Sequence, residues 1–162
     1  MTTQTRIGFA AVLIFILMVG VNNALVAPAV TGDLLPQSAL MGYTPLQLET
    51  FVAEIGQAGW IGMLYRIELG VIDPLFIGFF ALWVSLALRG SPKVALGFAL
   101  IYALVDLTEN GLLLWALGGG DPAAATTLLL PVTRVKLGLA AILFLAGRAA
   151  TRRRLAEENA AR

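Results

Sequence analysis

Seven ionisable side chains interrupt stretches that are otherwise apolar: Arg66, Glu68 and Asp73 in one, Asp106 and Glu109 in a second, Arg134 and Lys136 in a third. Carboxyls held away from water are the groups from which general acids and bases are made. Asp106 and Glu109 are the candidates for that work, with Asp73 and Glu68 in support. Arg66, Arg134 and Lys136 offer positive charge to anchor a phosphate or carboxylate head. Asn22, Asn23, Tyr102 and Asn110 add hydrogen-bonding groups for a ligand. An acid and a base beside an apolar wall suffice to protonate or isomerise an isoprenoid-type double bond. The Asp106-x-x-Glu109 spacing also suits a Mg²⁺ facing a diphosphate, but one carboxylate pair is a weak pattern, and no metal or cofactor is assigned.

Those charges stand in an expensive setting. The chain has 162 residues, 59% of them hydrophobic and 13% charged, with a mean hydropathy of +0.85. Soluble domains carry roughly a quarter charged residues, so this is the composition of a membrane protein. Each charge at the bilayer centre costs roughly 2.5–3.5 kcal/mol, and seven unpaired ones about 17–25 kcal/mol. A typical domain is stable by only about 5–15 kcal/mol. The seven must therefore pair, lie off-centre or face water. With no Cys and no His, a disulfide framework, a Cys/His zinc site, a His-ligated haem and a Ser-His-Asp triad are excluded. A net charge of +1 gives no pull toward nucleic acid.

The elements that must position these residues are four apolar spans, near 7–30, 60–88, 94–117 and 127–147, each long enough for a bilayer core of about 30 Å. The expected fold is all-α: a single integral membrane four-helix bundle. Pro28 with Thr31-Gly32-Asp33, then Arg89-Gly90-Ser91-Pro92, then Gly118-Gly119-Gly120-Asp121-Pro122 punctuate it. The first span also imitates a cleaved signal sequence, but the bundle needs it retained. Arg6, Arg89, Lys93, Arg148, Arg152, Arg153 and Arg154 flank one set of ends, whereas the 31–59 and 118–126 loops carry acids and no Lys or Arg. The positive-inside rule puts both termini in the cytoplasm of a bacterial inner membrane, with a charged tail at 148–162. In the long outer loop, Thr44-Pro45-Leu46-Gln47 reads as a capping box, and Leu48, Phe51, Val52 and Ile55 form one stripe. This predicts a short amphipathic helix near 45–58 in the outer interface, acting as a connector that caps the bundle or as a lid.

Depth and phase predict a single cluster. Spans two and four meet their charges 7 to 14 and 8 to 10 residues in, and span three meets Asp106 at its 13th residue while running the other way. All seven fall in the outer half of the membrane, level with Asn22 and Asn23. Tyr102, Asp106, Glu109 and Asn110 share one face of span three, with Tyr102 placed to bond Asp106. Arg66 and Asp73, seven apart, share a face of span two, with Glu68 to one side. Thr133 and Lys136 lie together on span four, with Arg134 about 100° round the helix. Gly56, Gly59 and Gly62 allow helices to approach closely. Trp60, Tyr65 and Trp115 are expected in an interfacial aromatic belt, and Phe76, Phe79, Phe80 and Trp83 on lipid-facing or packing surface.

The ordered series Tyr43-Thr44-Pro45, Tyr65-Arg66-x-Glu68, Asp73-Pro74-x-Phe76, Asp106-x-x-Glu109-Asn110 and Lys136 resembles a group of small four-span bacterial membrane proteins of unassigned function with an Asp-x-x-Glu-Asn third helix. The resemblance covers 43–136 and implies that these polar residues work together. In that group the second-span motif reads Asp, two apolar residues, Phe, Pro, whereas here Pro74 follows Asp73 directly. The architecture alone is also similar to the sterol-isomerase and sigma-2-receptor superfamily, which places acids inside a small helical bundle.

Three function classes follow. The first is a protein that binds an amphiphilic lipid or isoprenoid-type small molecule, with or without acid/base chemistry upon it. The second is a structural or accessory subunit of a larger membrane complex, or a homo-oligomer. The third is a proton- or ion-coupled carrier. The first expects an elongated tunnel headed by carboxylates, the second mutually satisfied charges without a cavity, and the third a water path across the bundle.

Overall fold

In the computed structural model, which describes residues 2–33, 35–39, 43–88 and 92–160, the chain is helical with no strand among those residues. Helix α1 (Thr3–Val21) is capped by the Thr2 side chain and continues through a π-helical turn at Asn22–Val26 and a 3₁₀ turn at Ala27–Ala29. The short α2 (Pro45–Gln57) follows the loop. Helix α3 (Trp60–Ile67) runs through a second π-helical turn, Glu68–Ile72, into α4 (Asp73–Ala87). Helix α5 covers Pro92–Leu117 and α6 Pro122–Ala160. Four continuous segments are long and apolar enough to cross a bilayer: Thr3–Ala29, Trp60–Ala87, Lys93–Leu117 and Pro122–Arg153. The last helix thus carries the basic tail without a break, and Pro131 sits inside it. The expected turn at Arg89-Gly90-Ser91 lies outside the described residues.

The two π-helical turns share a cause. Each begins six residues before a proline, Asn22 before Pro28 and Glu68 before Pro74. A proline ring clashes with the carbonyl four residues earlier and offers that carbonyl no N–H. Widening the preceding turn to i→i+5 bonds relieves the clash without breaking the helix.

Helix α1 lies along α4, α4 along α5, and α5 along α6, while α2 lies across α6 and touches α3 and α5. The capping box of α2 is formed: the Gln47 amide donates to Thr44 Oγ1 (3.2 Å) and the Thr44 amide to Gln47 Oε1 (2.7 Å). Leu48, Phe51 and Ile55 are buried, so the apolar stripe of α2 faces the bundle rather than lipid. Phe51 meets Tyr65 edge-on, with ring centroids 5.4 Å apart. Gly59, at φ +58°, turns the chain from α2 into α3. A Cβ at Gly62 would lie 2.1 Å from the Ile55 carbonyl oxygen, so only glycine lets α3 approach α2 there.

Two apolar clusters result. One, at the α2 end, gathers Val26, Leu48, Phe51, Tyr65, Leu113 and Leu129; the other, at the opposite end, gathers Ala11, Ile77, Phe80, Val84, Tyr102 and Leu143. At the latter, Trp83 packs on Gly8 and Gly147, where a Cβ would stand 2.6 Å from its ring on either side. Between the two clusters each span contributes polar residues, Asn22, Asp73, Asp106 with Glu109, and Thr133 with Lys136, so the bundle has a polar layer between apolar ones, with Arg66 and Glu68 among the residues of the first cluster.

Candidate functional site

The polar layer has its densest part between α5 and α6. Glu109 accepts hydrogen bonds from Thr133 Oγ1 and from Lys136 Nζ. The same ammonium stands 3.3 Å from Asp106 Oδ1. Residues 106 and 109 lie one turn apart on α5, as 133 and 136 do on α6, so two antiparallel helices deliver two acids to one base. All four residues are buried.

Toward α4 the layer continues through amides. Asn110 Nδ2 donates to Asp73 Oδ2 (2.8 Å), and its Oδ1 accepts from Gln37 Nε2 (3.4 Å). The Tyr65 hydroxyl donates to Gln37 Oε1 (3.4 Å). Gln37 belongs to the short Pro36–Ser38 turn before α2, so the long loop inserts a side chain into the layer. The Tyr43 hydroxyl is buried from the same loop without a hydrogen-bond partner. Burial, and after it the negative charge of Glu109, push that phenol well above its usual range.

Toward α1, Asn22 Nδ2 donates to Glu68 Oε1 (2.6 Å). Asn22 and Glu68 are the first residues of the two π-helical turns. Arg66 pairs with no acid among the described residues: its Nη2 donates to the Leu117 carbonyl (2.6 Å), closing the C-terminal end of α5. Arg66 and Asp73 both reach α5, at Leu117 and Asn110, positions that are likewise seven apart.

The structure therefore brings together Glu68, Asp73, Asp106, Glu109, Asn110, Lys136 and Asn22, with Tyr102 buried one turn from Asp106. It does not gather the three bases around a head group. Arg134 is exposed on α6, Arg66 is spent on a carbonyl, and Lys136 is held by two acids. Asn23 is exposed and bonds its own helix at Val19 O (2.8 Å). The expectation that Tyr65 joins an aromatic belt is also corrected, because the ring is fully buried under α2 while Trp60 and Trp115 stay exposed. Sequence reasoning missed Gln37, which lies in a loop without periodicity. It noted Thr133 without giving it a role.

Four acids thus face one ammonium within the layer. Among the described residues, four buried side-chain oxygens have no hydrogen-bond partner: Asn22 Oδ1, Tyr43 Oη, Glu68 Oε2 and Asp106 Oδ1. Asp106 Oδ1 has the Lys136 ion pair. Among the described residues no group of three His, Cys, Asp or Glu is placed to hold a metal ion. An open depression of about 400 Å³ lies at the α2 end, lined by Pro28, Val30, Thr31, Glu54 and Gln57 among others, and none of the four buried carboxyls lines it. On its rim Glu54 accepts from the Thr31 amide (2.6 Å) and hydroxyl (2.5 Å), and these two bonds lower its carboxyl below the usual range.

These features define a class, a multi-pass membrane protein with a buried carboxyl-rich layer. No protein-family model matches the chain, and no solved structure matches it. A protoheme IX farnesyltransferase of Chloroflexus aurantiacus is 31% identical over 107 residues, which cover 64% of this chain and 18% of that relative. The chain spans less than a fifth of that relative's length.

Proposed function

We propose that this protein binds an amphiphilic, isoprenoid-type ligand whose head reaches the carboxyl layer from the outer leaflet of a bacterial inner membrane. The observation that carries the reading is the imbalance of four buried acids against one buried ammonium, with Glu68 Oε2 left without a partner among the described residues. Buried acceptors without donors are expensive, and a purely structural network gains nothing from such a surplus. Protons or donors from a bound molecule would offset it. Asp106 and Glu109, fixed by Lys136 and Thr133, are the groups for any acid/base step, with Asp73 and Glu68 beside them. The similarity to a membrane enzyme named for farnesyl transfer supports the isoprenoid class of chain. The orientation rests on basic residues at one set of helix ends, Arg6, Lys93, Arg148, Arg152 and Arg153, against Glu49, Glu54 and Asp121 at the other.

One observation favours a second reading. The matched stretch is a minor part of a much longer relative named for farnesyl transfer, as a module serving a neighbouring prenyl-transferring partner would be. Native mass spectrometry of the mildly solubilised protein, followed by lipid extraction, separates the two. A stoichiometric isoprenoid or other amphiphile, lost in a folded Asp106→Asn variant, is the expected result. A ligand-free chain that arrives with another subunit would establish the accessory role instead.

A further inference from the structure

The seam between α1 and the α3–α4 span carries a feature that the acid/base reading leaves unused. Two π-helical turns adjoin there, and each opens with the polar residue that meets the other, Asn22 and Glu68. One N–H of the Asn22 side-chain amide donates to Glu68 Oε1 at 2.6 Å. What remains is two acceptors against a single further amide N–H, because Asn22 Oδ1 and Glu68 Oε2 are both buried without a hydrogen-bond partner. Glu68 is only 1% exposed. Neither nearby base serves this pair: half-buried Arg66 donates to Leu117 O, and buried Lys136 is taken by Glu109 and Asp106. Each proline also leaves a backbone carbonyl of its π-helical turn short of a donor, so the seam has a further excess of acceptors. Asn22 is only half-buried, and Asn23, Ala24, Gly70 and Val71 beside the pair are exposed, so the pair lies directly beneath the outer surface of the bundle.

We propose that Asn22 and Glu68 form the head-group subsite of the ligand-binding layer and select a head that donates hydrogen bonds, a hydroxyl or a primary ammonium, over an anionic one. This inference rests on the proposed amphiphile-binding function and names its head chemistry. A phosphate or carboxylate head brings acceptors and negative charge to a place that already has both in excess. A hydroxyl or ammonium brings donors to a pair in which acceptors outnumber them, and hydrogen bonds to a charged acceptor are the stronger kind.

The test is a matched series on the full-length protein in lipid nanodiscs: farnesol, farnesylamine and farnesyl phosphate, which share one chain and differ in the head. The alcohol or the amine is expected to bind about tenfold or more tightly than the phosphate, the ratio one charge-assisted hydrogen bond supplies. Whichever of the two binds tighter identifies the head. In Glu68→Gln, an isosteric change, and in Asn22→Ala, at a half-buried position, that preference is expected to fall by about the same factor. Melting temperatures of both variants report whether they remain folded. Tightest binding of farnesyl phosphate would overturn this inference and leave amphiphile binding standing. Unchanged preference in both folded variants would do the same. If none of the three binds, the inference falls together with the isoprenoid reading.

Discussion

Lys136 holds the layer together, since its ammonium is the partner of Glu109 and lies 3.3 Å from Asp106. Removing one member of a buried ion pair leaves the other charge without compensation, at a cost of about 3–5 kcal/mol. Lys136→Met is therefore expected to lower stability by about that amount in a detergent-micelle unfolding titration. The double variant Lys136→Met/Glu109→Leu is expected to recover a large part of it, because both charges leave together. A single variant as stable as the wild type would show that the ammonium contributes nothing to the bundle. Arg134, two residues earlier and exposed, serves as the control and is expected to tolerate Met with little change. Sequence alone treated Arg134 and Lys136 as equivalent anchors. Helical phase separated their directions by about 160°, yet it does not say which direction points inward.

At the scale of elements, α2 is where the chain closes over its polar layer. Its capping box and apolar stripe are legible in Thr44-Pro45-Leu46-Gln47 and in the spacing of Leu48, Phe51 and Ile55, and the structure forms both. The turn that ties its far end to α1 was not legible: Glu54 grips the amide and hydroxyl of Thr31 across 23 residues of chain. Because those bonds favour the charged carboxylate, the folded-state pKa of Glu54 lies below its ordinary value of 4.5. A depressed folded pKa contributes stability that is fully present above 4.5 and is lost as the pH falls through the lowered value. Comparing thermal melts of the wild type and Glu54→Gln should show the variant less stable at neutral pH. The gap should close in acid, below the ordinary carboxylate range. A gap that persists at low pH would mean the Thr31 contacts do not depend on the charge. The effect is small, since the pair is exposed to solvent. The π-helical turns are an element-scale feature of the same kind. A polar residue six positions before a proline was present twice, at Asn22 and at Glu68. Hydrophobic periodicity registers an apolar run there and is blind to one widened turn.

Across the whole molecule, the placement of charge relative to the bilayer gives a direct check. The chain has no cysteine, so single cysteines at Gln57 and at Thr151 report each end without background. Gln57→Cys is expected to react with a membrane-impermeant maleimide in intact spheroplasts, and Thr151→Cys only after permeabilisation. The reverse pattern would invert the topology and place the carboxyl layer in the cytoplasmic half. Thr151 hydrogen-bonds Gln4 (3.2 Å), so both termini lie at the same end of the bundle.

What the sequence determined by itself is set by one-dimensional physics. Four runs of apolar residues of bilayer length, charges interrupting three of them at matching depth, and a capped amphipathic helix between the first two follow from composition, spacing and the cost of charge in hydrocarbon. The four-helix architecture and the existence of a polar layer were therefore legible. Only the tertiary structure decided who partners whom. Glu109 takes Lys136 and Thr133, Asp73 takes Asn110, and Arg66 takes a carbonyl rather than an acid. Gln37 enters the layer from a loop with no periodicity to betray it. Spacing along a helix defines a face. The neighbour that face meets depends on how four helices pack around one another, and residues far apart in the chain decide that together.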